Sequence, residues 1–240
     1  MTAAGPSTSY GSVRAPRTGA DPGAPTTLVV VRHGRTPSTT AGRFAGRQGA
    51  DPDLSDDGRR DAAALARVLA GLGGPGAVLP DVPRPTAVVA SPMTRTRSTA
   101  SVAAQALGLD VRLDEAWVEA SFGAWEDLTY AEVAERFGDD LAVWQGSTTA
   151  APHGGDALVD VLARVRAARR RLVEEHPGEC VLVVTHATCV RAVVHEALAG
   201  GDELLWRTRV TPAALTVVRY WADGGIEVPT VNATAHLAAP

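Results

Sequence analysis

The sequence predicts an α/β fold, a three-layer sandwich with a mostly parallel sheet flanked by helices. Three observations carry that expectation. Strand-like and helix-like stretches alternate along the chain, the pattern of a sheet built with helical crossovers. Leu28 to Val31, Thr86 to Ala90 and Cys180 to Thr185 are short apolar runs rich in β-branched residues, and they read as buried strands. Each of these runs leads into basic or imidazole side chains: Arg32 and His33, then Arg95 and Arg97, then His186. Ligands of open α/β sheets bind beyond the carboxyl ends of strands. If the three strands are parallel neighbours, their ends converge on one basic pocket.

Composition narrows the function classes. A chain of 240 residues with 45% hydrophobic residues suits one well-buried domain with room for a small insertion. The net charge of −4 gives no basic face for nucleic acid. There is no Lys, so all 23 basic residues are Arg. That excludes a Walker-type phosphate loop and Schiff-base chemistry, both of which need Lys. Cys180 and Cys189 form no metal-spaced set and fit buried thiols in a reducing compartment. The first ten residues lack the basic and apolar regions of a secretory signal. The apolar runs fall short of the ~20 residues that span a bilayer. A cytoplasmic protein with no membrane and no nucleic-acid partner is expected, with a homodimer left open.

The elements follow in order. Residues 1–26 are rich in Gly, Pro, Ser, Thr and Ala and are expected to form a disordered tail ahead of a domain over 27–240. Pro37 to Asp53 has no sustained period and reads as a loop. Ser55 is the N-cap of a helix to about Leu72, with Ala62, Leu65 and Leu69 on one face and Gly73-Gly74 as its stop. A helix from Met93 to Leu107 ends at Gly108, and a short strand is expected at Val111 to Leu113. Trp117 to Trp125 reads as a loop over the site. Thr129 to Phe137 and Asp140 to Trp144 look like short helices, so 115–150 is expected to form a cap-like insertion. A long helix runs to about His176, and another covers Thr188 to Leu198. Ala214 to Trp221 and Ile226 to Val231 flank Asp223-Gly224-Gly225 as an edge hairpin.

The chemistry starts at the strand ends. Arg32 offers a planar fork of donors for phosphate or carboxylate, and His33 is a candidate nucleophile, base or metal ligand. Gly34 lets the backbone turn without Cβ crowding. Arg32-His33-Gly34-Arg35-Thr36, the run Ser91 to Ala100, and Val183 to Arg191 together resemble the histidine phosphatase superfamily, the phosphoglycerate mutase-like family. The resemblance runs from about Thr27 to about Leu237. It implies a phosphoglycerate mutase-like fold and a phosphohistidine formed on His33. It also implies Arg32 and Arg95 on the phosphate dianion and His186 as a donor to it. No His/Asp/Glu cluster has metal spacing, so a metal-independent site without a cofactor is expected. Glu119 lies in Glu119-Ala120-Ser121-Phe122-Gly123, which resembles the Glu-x-x-Phe/Tyr-Gly motif of the family's general acid. The acid-phosphatase branch has Asp after the second His; here Ala187 stands there, which points back to Glu119.

The departures define further candidates. Arg35 replaces a usual Glu or Gln and either adds positive potential at the mouth or faces solvent. Thr39 stands where the family often has a phosphate-binding Asn. Ala187 replaces a common Gly. Pro152-His153-Gly154-Gly155-Asp156 takes the place of Pro-Gly-Gly-Glu-Ser, with His153 either at the entrance or in solvent. Arg35, Arg43, His153 and Ala187 are therefore the candidate substrate-pocket residues. The Trp residues are expected in the core or cap, with Trp125 a candidate for the pocket border. The mutases carry an Arg pair after a cap Trp; the stretch Ala142 to Thr148 has none. The expected activity is metal-independent hydrolysis of a small sugar- or glycerate-type phosphomonoester. A mutase and a non-catalytic phosphate-binding protein are the alternatives.

Overall fold

The computed structural model describes residues 23–237. The tail expected over 1–26 lies, up to residue 22, outside the described residues. Among the described residues, six strands form one sheet: β1 (Thr26–Arg32), β2 (Ala87–Ala90), β3 (Val111–Leu113), β4 (Cys180–Thr185), β5 (Leu215–Tyr220) and β6 (Ile226–Ala233). Their order is β3-β2-β4-β1-β5-β6. β3, β2, β4 and β1 are parallel, and β5 and β6 add an antiparallel edge. The α/β class, the mostly parallel sheet and the edge hairpin are as the sequence predicts.

Alternation along the central strands separates the two faces. Leu28, Val30, Val181 and Val183 pack with Val161, Val165 and Leu172 of α6 (Leu158–Glu175) and with Val190 and Val193 of α7 (Ala187–Ala197). Val29, Val31, Leu182 and Val184 pack on the other side. There they meet Leu65 and Leu69 of α2 (Asp56–Gly71) and Ala100 and Ala103 of α3 (Thr94–Leu107). Both faces of β1 are therefore dry, which is why the strand reads as a continuous apolar run. Burying each Val or Leu side chain contributes roughly 1.5–3 kcal/mol.

The register fixes where the strands deliver their ends. Arg32 pairs with Thr185, and Ala90 pairs with Val184. His33 and His186, each one residue further on, therefore sit side by side, with Ser91 one residue past the end of the adjoining β2. Adjacent strands lie about 4.8 Å apart, so three distant segments meet within one side-chain length. The convergence expected from sequence is present.

Other expectations are corrected in detail. The loop expected from Pro37 contains a single helical turn, α1 (Pro37–Thr40), closed by a Thr36–Thr39 capping box. Trp117 to Trp125 includes 3-10 turns at Glu115–Trp117 and Gly123–Trp125. The short helices that follow are α4 (Tyr130–Arg136) and α5 (Gly138–Gln145). They bring Val133, Leu141 and Trp144 onto the α6–α7 side of the molecule. A last helix, α8 (Glu203–Arg207), has no expected counterpart. No helix among the described residues is long and apolar enough to cross a membrane.

Candidate active site

Gly34 turns the chain at the end of β1, and its reason is close approach. A Cβ there would meet the Gly58 carbonyl oxygen at 2.7 Å, and one on Gly58 would meet the Arg35 carbonyl oxygen at 1.9 Å. Two glycines let α2 press against this loop. The Gly34 N–H donates to Thr99 Oγ1 at 3.1 Å, which ties the loop to α3 as well.

His33 is buried, and its Nδ1 lies 2.8 Å from the Gly34 carbonyl oxygen. A carbonyl only accepts, so Nδ1 carries the proton and Nε2 keeps a lone pair. The His186 ring stands 5.3 Å from it, centroid to centroid, at 63°. His186 Nε2 pairs with Ser91 Oγ at 2.8 Å, and its Nδ1 is buried without a partner. Burial pushes the pKa of His33 well below 6.5, and the Arg32 and Arg95 charges push the same way. Burial does the same to His186, followed by Arg95, the neighbouring His33 ring, Arg32 and Arg164. Both rings are neutral at pH 7.

Two arginines flank the pair. Arg32 donates through one terminal nitrogen to the Val210 carbonyl at 2.8 Å, and its Nε is buried and unpartnered. Burial draws its pKa down to about 10, which leaves it charged at neutral pH. Arg95, 1% exposed, donates to Asp51 Oδ1 at 3.0 Å and to the Ala45 carbonyl at 2.9 Å. Its Nε is likewise unpartnered. Asp51 also accepts from the Thr94 N–H at 2.8 Å, so one carboxylate caps α3 and orients Arg95. Unpaired buried donors cost about 1–3 kcal/mol each, and here they cluster around the two imidazoles.

Glu119 stands across the site. Its Oε1 accepts from the Ala120 N–H at 2.9 Å and its Oε2 from the Thr188 N–H at 3.3 Å. Thr188 is in the first turn of α7, whose N-cap is His186, so the carboxylate faces the positive end of that helix.

A cavity of about 240 Å³ opens over these groups. Of the residues singled out from sequence, Arg32, His33, Thr39, Arg43, Glu119 and Ala187 line it. Arg95 and His186 are buried and are not part of this lining. Thr39 reaches the cavity, but its hydroxyl donates to the Thr36 carbonyl at 2.9 Å and accepts from the Thr36 N–H at 2.7 Å. The capping box that makes α1 therefore occupies the hydrogen bond expected to replace that of an Asn. Arg43 sits at the rim, bonded to the Asp127 carbonyl and to Glu132.

Arg35 and His153 do not line the cavity. Arg35 turns back onto α2, with Nε and NH2 each 2.7 Å from the Asp61 carboxylate and NH1 3.3 Å from Asp57. His153 is exposed; its carbonyl accepts the Ala124 N–H at 2.9 Å, so it serves the Gly123–Trp125 turn through its backbone. Trp125 is also not at the border. It is fully buried, with its ring 5.5 Å from Trp144. The residues that sequence reasoning missed are Trp144, Trp206 and Arg191 in the wall, and Asp51 behind Arg95. Arg191 had a readable signal: it follows Ala187 by four residues on one helix, which puts both on one face. Asp51 had none, because its role depends on how a loop folds back.

The family model for the histidine phosphatase superfamily, branch 1, matches residues 28–234. The chain belongs to that superfamily. It is 40% identical over 215 residues to a bifunctional protein of Mycobacterium tuberculosis, covering 90% of this chain and 56% of that one. The chain thus spans just over half the length of that relative. It is 34% identical over 175 residues to glucosyl-3-phosphoglycerate phosphatase of the same organism, covering 69% of this chain and 72% of the relative. The solved structure of mycobacterial glucosyl-3-phosphoglycerate phosphatase with VO3 aligns with a TM-score of 0.75 at 28% identity, over 87% of this chain and 99% of that one. The phosphoglycerate mutase-like fold expected from the motifs is the fold observed.

Proposed function

We propose that the chain is a metal-independent phosphomonoesterase, acting on a small phosphorylated metabolite of the sugar- or glycerate-phosphate type through a phosphohistidine on His33. The observation that carries this reading is the contact of His33 Nδ1 with the Gly34 carbonyl at 2.8 Å: a carbonyl only accepts, so the Nε2 lone pair is left free, among two arginines and a second imidazole. Arg32 and Arg95 hold the phosphate dianion through charge-assisted bonds. His33 Nε2 forms the N–P bond as the ester P–O bond breaks, and the leaving oxygen takes its proton from Glu119. His186, with Ser91 donating to Nε2, offers its Nδ1–H to the transferring phosphoryl oxygens. Glu119 then accepts a proton from the water that breaks the N–P bond, and free phosphate leaves.

The walls support the substrate class. Phe44, Phe122, Trp144 and Trp206 give flat apolar surface suited to the face of a sugar ring. Arg191 donates its Nε to the Thr208 carbonyl at 3.1 Å, and its two terminal nitrogens have no hydrogen-bond partner among the described residues. They are matched to a carboxylate or to vicinal hydroxyls beyond the phosphate. The reaction is read as cytoplasmic, with the phosphomonoester as the partner.

The test is phosphate release from a panel of small phosphomonoesters in chelator, with isomerisation of 3-phosphoglycerate followed in parallel. Release that disappears in His33→Ala is the expected result. Isomerisation without release would move the protein to the mutases.

A further inference from the structure

We propose that Arg164 is a positioning residue for Glu119: reaching from α6, it fixes the backbone on which the acid is mounted. The inference rests on the acid role of Glu119 given above. Glu119 sits in a segment outside any helix or strand, so its position depends on what grips the chain around it. The three carbonyls ahead of it are all taken by side chains of other elements. Arg164 NH1 donates to the Ala116 carbonyl at 2.7 Å and to the Val118 carbonyl at 2.9 Å. Thr185 Oγ1 donates to the Trp117 carbonyl at 2.6 Å, and the Cys189 thiol donates to the Val118 carbonyl at 3.1 Å. Beyond Glu119, Asp156 accepts the Ser121 N–H at 2.9 Å.

These contacts differ in reach. Thr185 and Cys189 belong to the strand and helix on either side of His186, so they tie the segment to the catalytic floor. Arg164 is the cationic member, and one of its nitrogens bridges two carbonyls across a turn, setting the direction in which the next residue leaves. It does not line the catalytic cavity. It lines a separate surface cleft of about 520 Å³ together with Arg47, Glu115, Asp156 and Asp160. Arg164 therefore acts on the acid from behind, and a small cation in solution can reach its place.

The experiment compares an alkyl phosphate, whose leaving oxygen needs a proton, with p-nitrophenyl phosphate, whose leaving oxygen does not. In full-length Arg164→Ala, alkyl-phosphate kcat is expected to fall about tenfold or more while the aryl rate falls by less than about threefold, because only proton transfer has lost its geometry. Free guanidinium should restore the alkyl rate, and Arg164→Lys should lie between wild type and Ala. Circular dichroism checks folding; if the Ala variant does not fold, Arg164→Lys carries the same comparison. Equal losses for both esters in a folded variant, or no loss for either, overturn the proposal. Glu119→Gln is measured beside it. Equal losses there overturn the acid reading itself, and the positioning role with it. A selective loss in Glu119→Gln with none in Arg164→Ala overturns only the positioning role.

Discussion

The floor and the roof of the cavity are built by different means. The floor holds His33, His186, Ser91 and Arg32, each at or one residue past the end of a central strand. Their mutual placement follows from strand register, and main-chain bonds carry it to the strand ends, His33 N–H to the Thr185 carbonyl and Ser91 N–H to the Val184 carbonyl. The roof holds Glu119, Phe122, Trp144 and Trp206, carried by turns and short helices. Their placement depends on side chains gripping irregular backbone and on rings packed edge to face, such as Trp144 and Trp206 at 4.5 Å. A register cannot slip by a fraction of a residue; a gripped loop can move by an ångström. Under the proposed function, the floor binds and attacks the phosphoryl group, which all substrates share. The roof is suited to the leaving group, which differs between them.

Substitutions separate the two regions, and the floor should give the largest effect. His33→Ala removes the proposed nucleophile, and kcat for every ester should drop by about 10⁴-fold or more with the fold intact. Retained hydrolysis in that variant would break the division at its root. Arg95→Ala should cost about 10²–10³-fold on all esters alike, since it removes charge from the transferring group itself. Selectivity between esters in that variant would place Arg95 with the roof instead. Glu119→Gln should cost about 10²–10⁴-fold on alkyl esters and much less on an aryl phosphate. Arg191→Met should be milder, with kcat/KM for a carboxylate-bearing phosphomonoester falling about tenfold, the loss of one charge-assisted bond. A neutral phosphomonoester should be almost unaffected; equal losses would assign Arg191 to the phosphate.

The smallest effect concerns stability, and it again belongs to the floor. His33 and His186 are held neutral in the folded chain, with pKa values pushed well below 6.5 by burial. The unfolded chain takes up protons on them as pH falls through about 6.5, so their contribution is present above that pH and is lost below it. The loss sets in as pH falls from about 6.5 to about 5.5, the range in which the unfolded imidazoles take up protons. Urea unfolding midpoints across that range should fall, and fall less in His33→Ala. An unchanged slope in the variant would mean that His33 titrates normally.

The same contrast explains what the sequence made legible. The three strands were visible as β-branched runs, and their buried ends carried residues that have few structural reasons to be there. His33, His186, Arg32 and Arg95 therefore stood out as candidates by type and position, and the family resemblance gave them and Glu119 their expected roles. The roof did not stand out in this way. Trp125 and Trp144 are both cap tryptophans, and only packing decides that Trp125 is core and Trp144 is wall. Arg35 follows the key motif directly, yet two carboxylates on α2 draw it away. Thr39 sits at the expected place, but its hydroxyl closes a helical turn. In each case a nearby partner outcompeted the expected role, and partners brought in by folding leave no trace in local sequence.

The most direct test of the phosphohistidine is rapid acid-free quenching of turnover, followed by peptide mass spectrometry and a check of acid and base stability. One phosphoryl group on the peptide containing His33, labile to acid and stable to base, is the predicted result. Turnover that leaves no phosphoenzyme and inverts the configuration of a chiral phosphorothioate-type substrate would mean direct attack by water and would contradict it.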